Sequence, residues 1–133
     1  MTELKRTRLP QRRPCMRTFE ATIANKTRVF MTTGENPDGT LGEIFVNMDK
    51  EGSPFRVMFE CFSILVSLCL QSCVPLSLLV KRFEGREFQP NGFVNGPLGI
   101  VETKSVIDYV FTVLAREYPE QAGVNHTERQ AAE

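Results

Sequence analysis

Four cysteines, Cys15, Cys61, Cys69 and Cys73, and one histidine, His126, are the side chains here whose types suit metal binding or nucleophilic attack. Their spacing supports neither chemistry. No CxxC pair is present and His126 stands in the polar stretch NHTERQAAE, so no metal site is expected. A Ser-His-Asp set needs a base held in fixed geometry, which such a tail does not offer, and no cysteine has a histidine near it in sequence. Neither a P-loop nor a GxGxxG occurs. The chain is therefore read as non-enzymatic and without a cofactor.

Anion binding is the chemistry the residues favour. In GEIFVNMDKEGSPF an alternating apolar stretch stops at Asp49-Lys50-Glu51, and Gly52-Ser53-Pro54 then opens a helix. The first amides of a helix have no intrahelical acceptor and lie at the positive end of its dipole, so Lys50, Ser53 and Arg56 there suit a phosphate. The competing account is a capped turn, with Lys50 in solvent and Arg56 paired with Glu60 one turn on. Thr103-Lys104-Ser105 makes a second start of this kind, where Asp108 would complement the dipole. Between them, Arg86 to Asn95 offers the rings of Phe88 and Phe93 to a base and Arg86, Asn91 and Asn95 to its edges or phosphates. Alternatively those rings plug the core and the Asn-Gly pairs only turn the chain. Arg28 lies on a strand and faces either side.

The elements that would position these groups follow from apolar period and turn chemistry. Thr18–Ile23 and Thr27–Thr32 flank Ala24-Asn25-Lys26 as a short hairpin, and Asn36-Pro37-Asp38-Gly39 turns the chain into a third strand, Glu43–Met48. Ile44, Val46 and Met48 fall on one side of that strand, Glu43, Phe45 and Asn47 on the other. Pro54 at a first helical position then opens a helix over 54–72, nearly apolar all round past Cys61 and so expected to be central. A second helix spans 75–83, Glu84 to Leu98 is loop, and a third helix over 104–118 carries Val106, Tyr109, Val110, Val113 and Leu114 on one face. The fold class is α+β, a single domain with an antiparallel sheet of about three strands against about three helices. Residues 1–17 are expected as a basic flexible leader, 18–118 as the folded domain and 119–133 as a disordered tail.

Sixteen basic and sixteen acidic side chains cancel, so no whole-molecule field draws the protein to nucleic acid or anionic lipid. The leader is the exception, with Lys5, Arg6, Arg8, Arg12, Arg13 and Arg17 against Glu3. From Cys61 to Val80 no charged residue occurs, a membrane-length run. Gln71, Ser72 and Pro75 interrupt it, and it is read as two buried helices joined near Ser72–Val74, with no membrane partner. Cysteines in an apolar run and the lack of a signal-peptide core give a reduced, cytoplasmic protein as the expectation.

Three blocks, GENPDGTLGEIFVNMDKEGSPFR, SLCLQSCVPLSLLVKRFEGREFQPNG and KSVIDYVFTVLAREY, together with LPQRRP, carry a family resemblance. Over about Leu9 to Tyr118 the chain resembles the C-terminal accessory domain of adenosylcobalamin-dependent, class II, ribonucleotide reductases, one of the TSCPD domains, which also occur free-standing. The motif that names the domain would fall at Lys104–Asp108. There Ser105 and Asp108 persist, while the cysteine is Val106 and the proline is Ile107. No thiol or metal role carries over to that site, and the reductase's catalytic barrel, cobalamin pocket and cysteine-rich tail have no counterpart in these residues.

The resemblance and the basic helix starts together imply a non-catalytic nucleotide-binding module, holding a phosphorylated nucleotide between subunits of a homo-oligomer. One form of it is a viral protein that sequesters linear or cyclic nucleotide immune signals. Two other roles are an assembly subunit of a split reductase, partnered by a ribonucleotide reductase catalytic chain, and a nucleic-acid-binding accessory protein acting through its leader.

Overall fold

The computed structural model describes residues 5–48 and 53–124. The knuckle Asp49–Glu51, with Lys50 and Gly52, lies outside them, as does the tail from Asn125. Strands β1 (Met16–Ile23) and β2 (Thr27–Glu35) form the expected hairpin. Ala24 and Asn25 both have positive φ, 56° and 54°, and the Lys26 amide closes the turn on the Ile23 carbonyl at 3.1 Å. This left-handed pair is the turn whose twist matches that of two antiparallel strands. β2 then turns through Asn36–Thr40 into β3 (Leu41–Met48), where the Asp38 carboxylate accepts from the amide and hydroxyl of Thr40 at 3.0 and 2.6 Å.

Three helices occupy nearly the expected spans: α1 (Ser53–Gln71), α2 (Leu76–Phe83) and α3 (Val106–Glu117). The sheet is larger than three strands. β4 (Gly92–Asn95) and β5 (Glu102–Thr103) join it, giving the antiparallel order β3-β2-β1-β4-β5. Four and two residues are too few to show an alternating pattern, and both strands sit among Gly, Pro and Asn, so the sequence reads as loop there. What makes β4 a strand is a distant partner: Thr22 pairs with Asn95 and Ile23 with Val94.

This α+β domain packs as two compact units, one built from the residues up to Glu20 with Arg28–Val74, the other from Ala21–Thr27 and the residues from Pro75 on. In the first, Val29, Met31, Ile44, Val46 and Met48 form the sheet's buried face, with Phe59 and Val66 of α1 among the buried apolar residues. α1 is not central as expected. It is tied to the edge strand β3 along one side, and Met58, Ile64 and Leu65 on its outer side are exposed.

The attachment of α1 is polar. Ser63 Oγ accepts from the Val46 amide at 2.9 Å, Ser67 Oγ accepts from the Ile44 amide at 3.0 Å, and Gln71 Nε2 donates to the Gly42 carbonyl at 3.0 Å. Each step of four along the helix meets a step of two back along the strand. The two rises nearly agree, about 6 Å for four helical residues and about 6.8 Å for two strand residues. An edge strand points alternate N–H and C=O groups away from its neighbour, and this ladder satisfies the row that would otherwise invite another strand.

The leader is held at several points. Leu9 is buried, Arg6 Nε donates to Gln71 Oε1 at 2.8 Å, and the Thr7 amide donates to the Gln71 carbonyl at 2.7 Å. Arg13 grips Glu43 with two bonds, 2.7 and 3.0 Å, and Arg17 pairs with Glu35 at 3.4 Å. Glu43 is buried on the side of β3 opposite Ile44, Val46 and Met48, where it lies against Gly34, its register partner. A Cβ on Gly34 would stand 2.5 Å from its Oε1.

In the second unit, α3 buries Val106, Tyr109, Val110, Phe111, Val113 and Leu114. Phe83 at the end of α2 stacks on Phe111 with ring centroids 5.6 Å apart.

Candidate functional site

The N-terminus of α3 holds a cluster of polar groups in the second unit. Ser105 is the N-cap, with Oγ accepting from the Asp108 amide at 3.0 Å and donating to the Arg86 carbonyl at 2.6 Å. The Asp108 carboxylate reaches back to three donors: the Gly85 amide at 2.7 Å, the Lys104 amide at 2.9 Å and the Thr103 hydroxyl at 3.2 Å. Asp108 is therefore a buried hub joining α3, β5 and the turn after α2, where the sequence reads it as complementing the dipole from the surface. The spacing Ser105-x-x-Asp108 is that of a capping box, and this signal would have placed both residues.

One consequence is electrostatic. The opening of α3, expected to attract an anion through Lys104 and Ser105, already carries the chain's own carboxylate. Nearby Glu84 has its carboxyl raised above the ordinary range by burial and, next, by the charge of Asp108.

Beside this cluster lies a cavity of about 340 Å³. Asn91 and Lys104, two of the expected ligand residues, meet on its wall, but Glu87, Glu102 and Asp108 share that wall and make it acidic on balance. Arg86 is exposed, its Nε donating to the Arg82 carbonyl at 3.3 Å. Phe88 is half-buried, its amide bonded to the Lys104 carbonyl at 3.0 Å. Phe93 and Asn95 are exposed on β4, whose Phe93 carbonyl accepts from the Ala24 amide at 2.8 Å.

The other expected residues belong to the first unit. Arg28 is exposed on β2, paired with Glu20 at 3.2 Å, and its guanidinium sits 5.8 Å from the Phe30 ring centroid. Ser53 begins α1 and Arg56 is exposed one turn in. Lys50 falls outside the described residues. Arg6, Arg13 and Arg17 of the leader, candidates for phosphate contact, are engaged with Gln71, Glu43 and Glu35. Among the described residues no group of His, Cys, Asp and Glu is arranged to hold a metal.

The TSCPD domain family matches residues 3–118. Among curated proteins the chain is similar to the vitamin B12-dependent ribonucleotide reductase of Agrobacterium fabrum, 44% identical over 114 residues, which cover 86% of this chain and 9% of that protein. The protein of the same name from Bradyrhizobium diazoefficiens is 40% identical over 93% of this chain and 10% of its own length, and that from Streptantibioticus cattleyicolor 38% over 85% and 18%. The chain thus spans from 9% to 18% of the length of these relatives. No solved structure matches. At the naming motif, the two positions this chain retains, Ser105 and Asp108, are the hydrogen-bonding ones, and the replaced Val106 is buried in the core. The motif here works as a helix cap, and the chain belongs to the TSCPD domain family.

Proposed function

We propose that this protein is a non-catalytic accessory subunit of ribonucleotide reduction, acting on a vitamin B12-dependent reductase chain supplied separately. One observation carries the reading: 44% identity runs through 86% of this chain and only 9% of the reductase from Agrobacterium fabrum. The shared part is a small module, and its candidate chemical groups are spent on folding. Asp108, Ser105 and Thr103 hold α3 in place, and the leader's guanidiniums hold the first unit.

The test is reconstitution. A class II reductase chain with its own TSCPD segment removed is mixed with this protein, and association is followed by gel filtration, deoxyribonucleotide formation by turnover with adenosylcobalamin. The expected result is a stable complex and recovered turnover or effector response. No association and no change in either rate overturns the reading.

Nucleotide binding is a second reading, favoured by the meeting of Asn91 and Lys104 on one cavity wall. The carboxylates beside them oppose a polyphosphate, so the ligand expected is one of low charge, such as a nucleoside or a cyclic nucleotide. A viral role in sequestering nucleotide immune signals is one form of this reading. Thermal shift against linear and cyclic nucleotides tests it, with Lys104→Ala expected to remove any shift.

A further inference from the structure

The outer face of α1 is an apolar stripe. Val57, Met58, Ile64 and Leu65 are 50%, 66%, 60% and 62% exposed, and Cys61 between them is exposed as well. Pro54 and Leu68 prolong the stripe at its two ends. At about 100° per residue these positions fall within an arc of roughly 120° centred on Cys61. Arg56 and Glu60 both fall beyond one border of that arc, and no charged residue follows until Lys81.

The stripe is its own complement when reversed. Turning the helix end for end about Cys61 places Val57 on Leu65, Met58 on Ile64 and Pro54 on Leu68. That is the requirement for a two-fold interface, in which one patch meets itself. Cysteine, the smallest side chain of the stripe, stands at the crossing point, where helices approach most closely. Pairing about this axis buries neither Arg56 nor Glu60, so no unpaired charge opposes it.

The area is also of the right order. The four large side chains offer on the order of 400 Å² of apolar surface, about half of the ~800 Å² each partner contributes to a stable interface. The half-buried rings of Phe55 and Phe62 along the other border add to it. A bilayer fits less well, although Pro54–Gln71 is long and apolar enough by composition. Ser63, Ser67 and Gln71 are committed to β3, and interfacial helices draw on a row of Lys and Arg where α1 offers Arg56 alone.

We propose that two copies of this protein pair through α1, antiparallel about a two-fold axis at Cys61. The pairing does not depend on association with a reductase chain.

Light scattering on the full chain is expected to give twice the 15.1 kDa protomer mass at about 100 µM. In a Cys73→Ser background, bismaleimidoethane is expected to join protomers through Cys61, and Cys61→Ser to abolish the product. Ile64→Glu places a charge in an exposed position, so its circular dichroism should match the parent while the mass halves and cross-linking is lost. A monomer at that concentration, or a dimer that persists in Ile64→Glu, overturns the proposal. So does a monomeric free chain that binds phosphatidylcholine vesicles, or the reductase chain, through this face, losing that binding in Ile64→Glu. The last result would leave the accessory role standing and assign α1 to it.

Discussion

In the second unit the Asp108 carboxylate accepts from two amides and a hydroxyl across three segments. Asp108→Ala strands the two amides, the Thr103 hydroxyl keeping its 2.8 Å bond to the Ser105 carbonyl, and is expected to cost about 2–3 kcal/mol in urea unfolding, with Asp108→Asn, which keeps one acceptor, near half of that. Ser105→Ala should cost about 1 kcal/mol by loss of the cap. Glu84 gives a pH signature. Burial and then Asp108 raise its carboxyl, so the folded state holds that proton more tightly than the unfolded state does. Its contribution is present at low pH and lost as pH rises through the folded value. Glu84→Gln should therefore stabilise at about pH 7, by a few tenths of a kcal/mol given its exposure, and make no difference at about pH 3. Equal gain at both would remove the electrostatic account.

Among the elements, β1 to β3 and all three helices were legible because period, turn residues and Pro54 act locally. β4 and β5 were not, since their partners lie far off in sequence or span two residues. The outward exposure of α1 was equally hidden. Its three polar contacts come from Ser63, Ser67 and Gln71, which read as dilution of an apolar run until β3 is set beside them. Ser63→Ala leaves the buried Val46 amide without its acceptor and is expected to cost about 1–3 kcal/mol. Gly34→Ala should cost a similar ~1–3 kcal/mol by pushing the Glu43 carboxylate off Arg13. Chemical unfolding of each variant checks both values, and Arg13→Ala combined with Gly34→Ala should lose less than the sum.

At the scale of the molecule, membership of the TSCPD family and a tenth-length match to B12-dependent reductases set what the protein can be asked to do. At the start of α3, anticipated as an anion site, the Asp108 carboxylate already takes the Lys104 amide, Asn91 and Lys104 line a cavity shared with three carboxylates, and Arg28 is paired with Glu20. That outcome was beyond the reach of sequence, because whether a helix amide is free depends on what side chain the tertiary fold brings to it. The whole-molecule expectation is that this chain restores effector response or turnover to a reductase lacking the module, read by deoxyribonucleotide formation.

The ladder between α1 and β3 has a further consequence for how this sequence can vary. Because the helix is locked to the strand in phase, a one-residue insertion between Ser63 and Ser67 would rotate everything beyond it by about 100° and unseat Ser67 and Gln71 together. Natural length changes should accordingly collect in the turns and spare this helix, much as the teeth of a rack allow replacement of a gear but not a change in its tooth spacing.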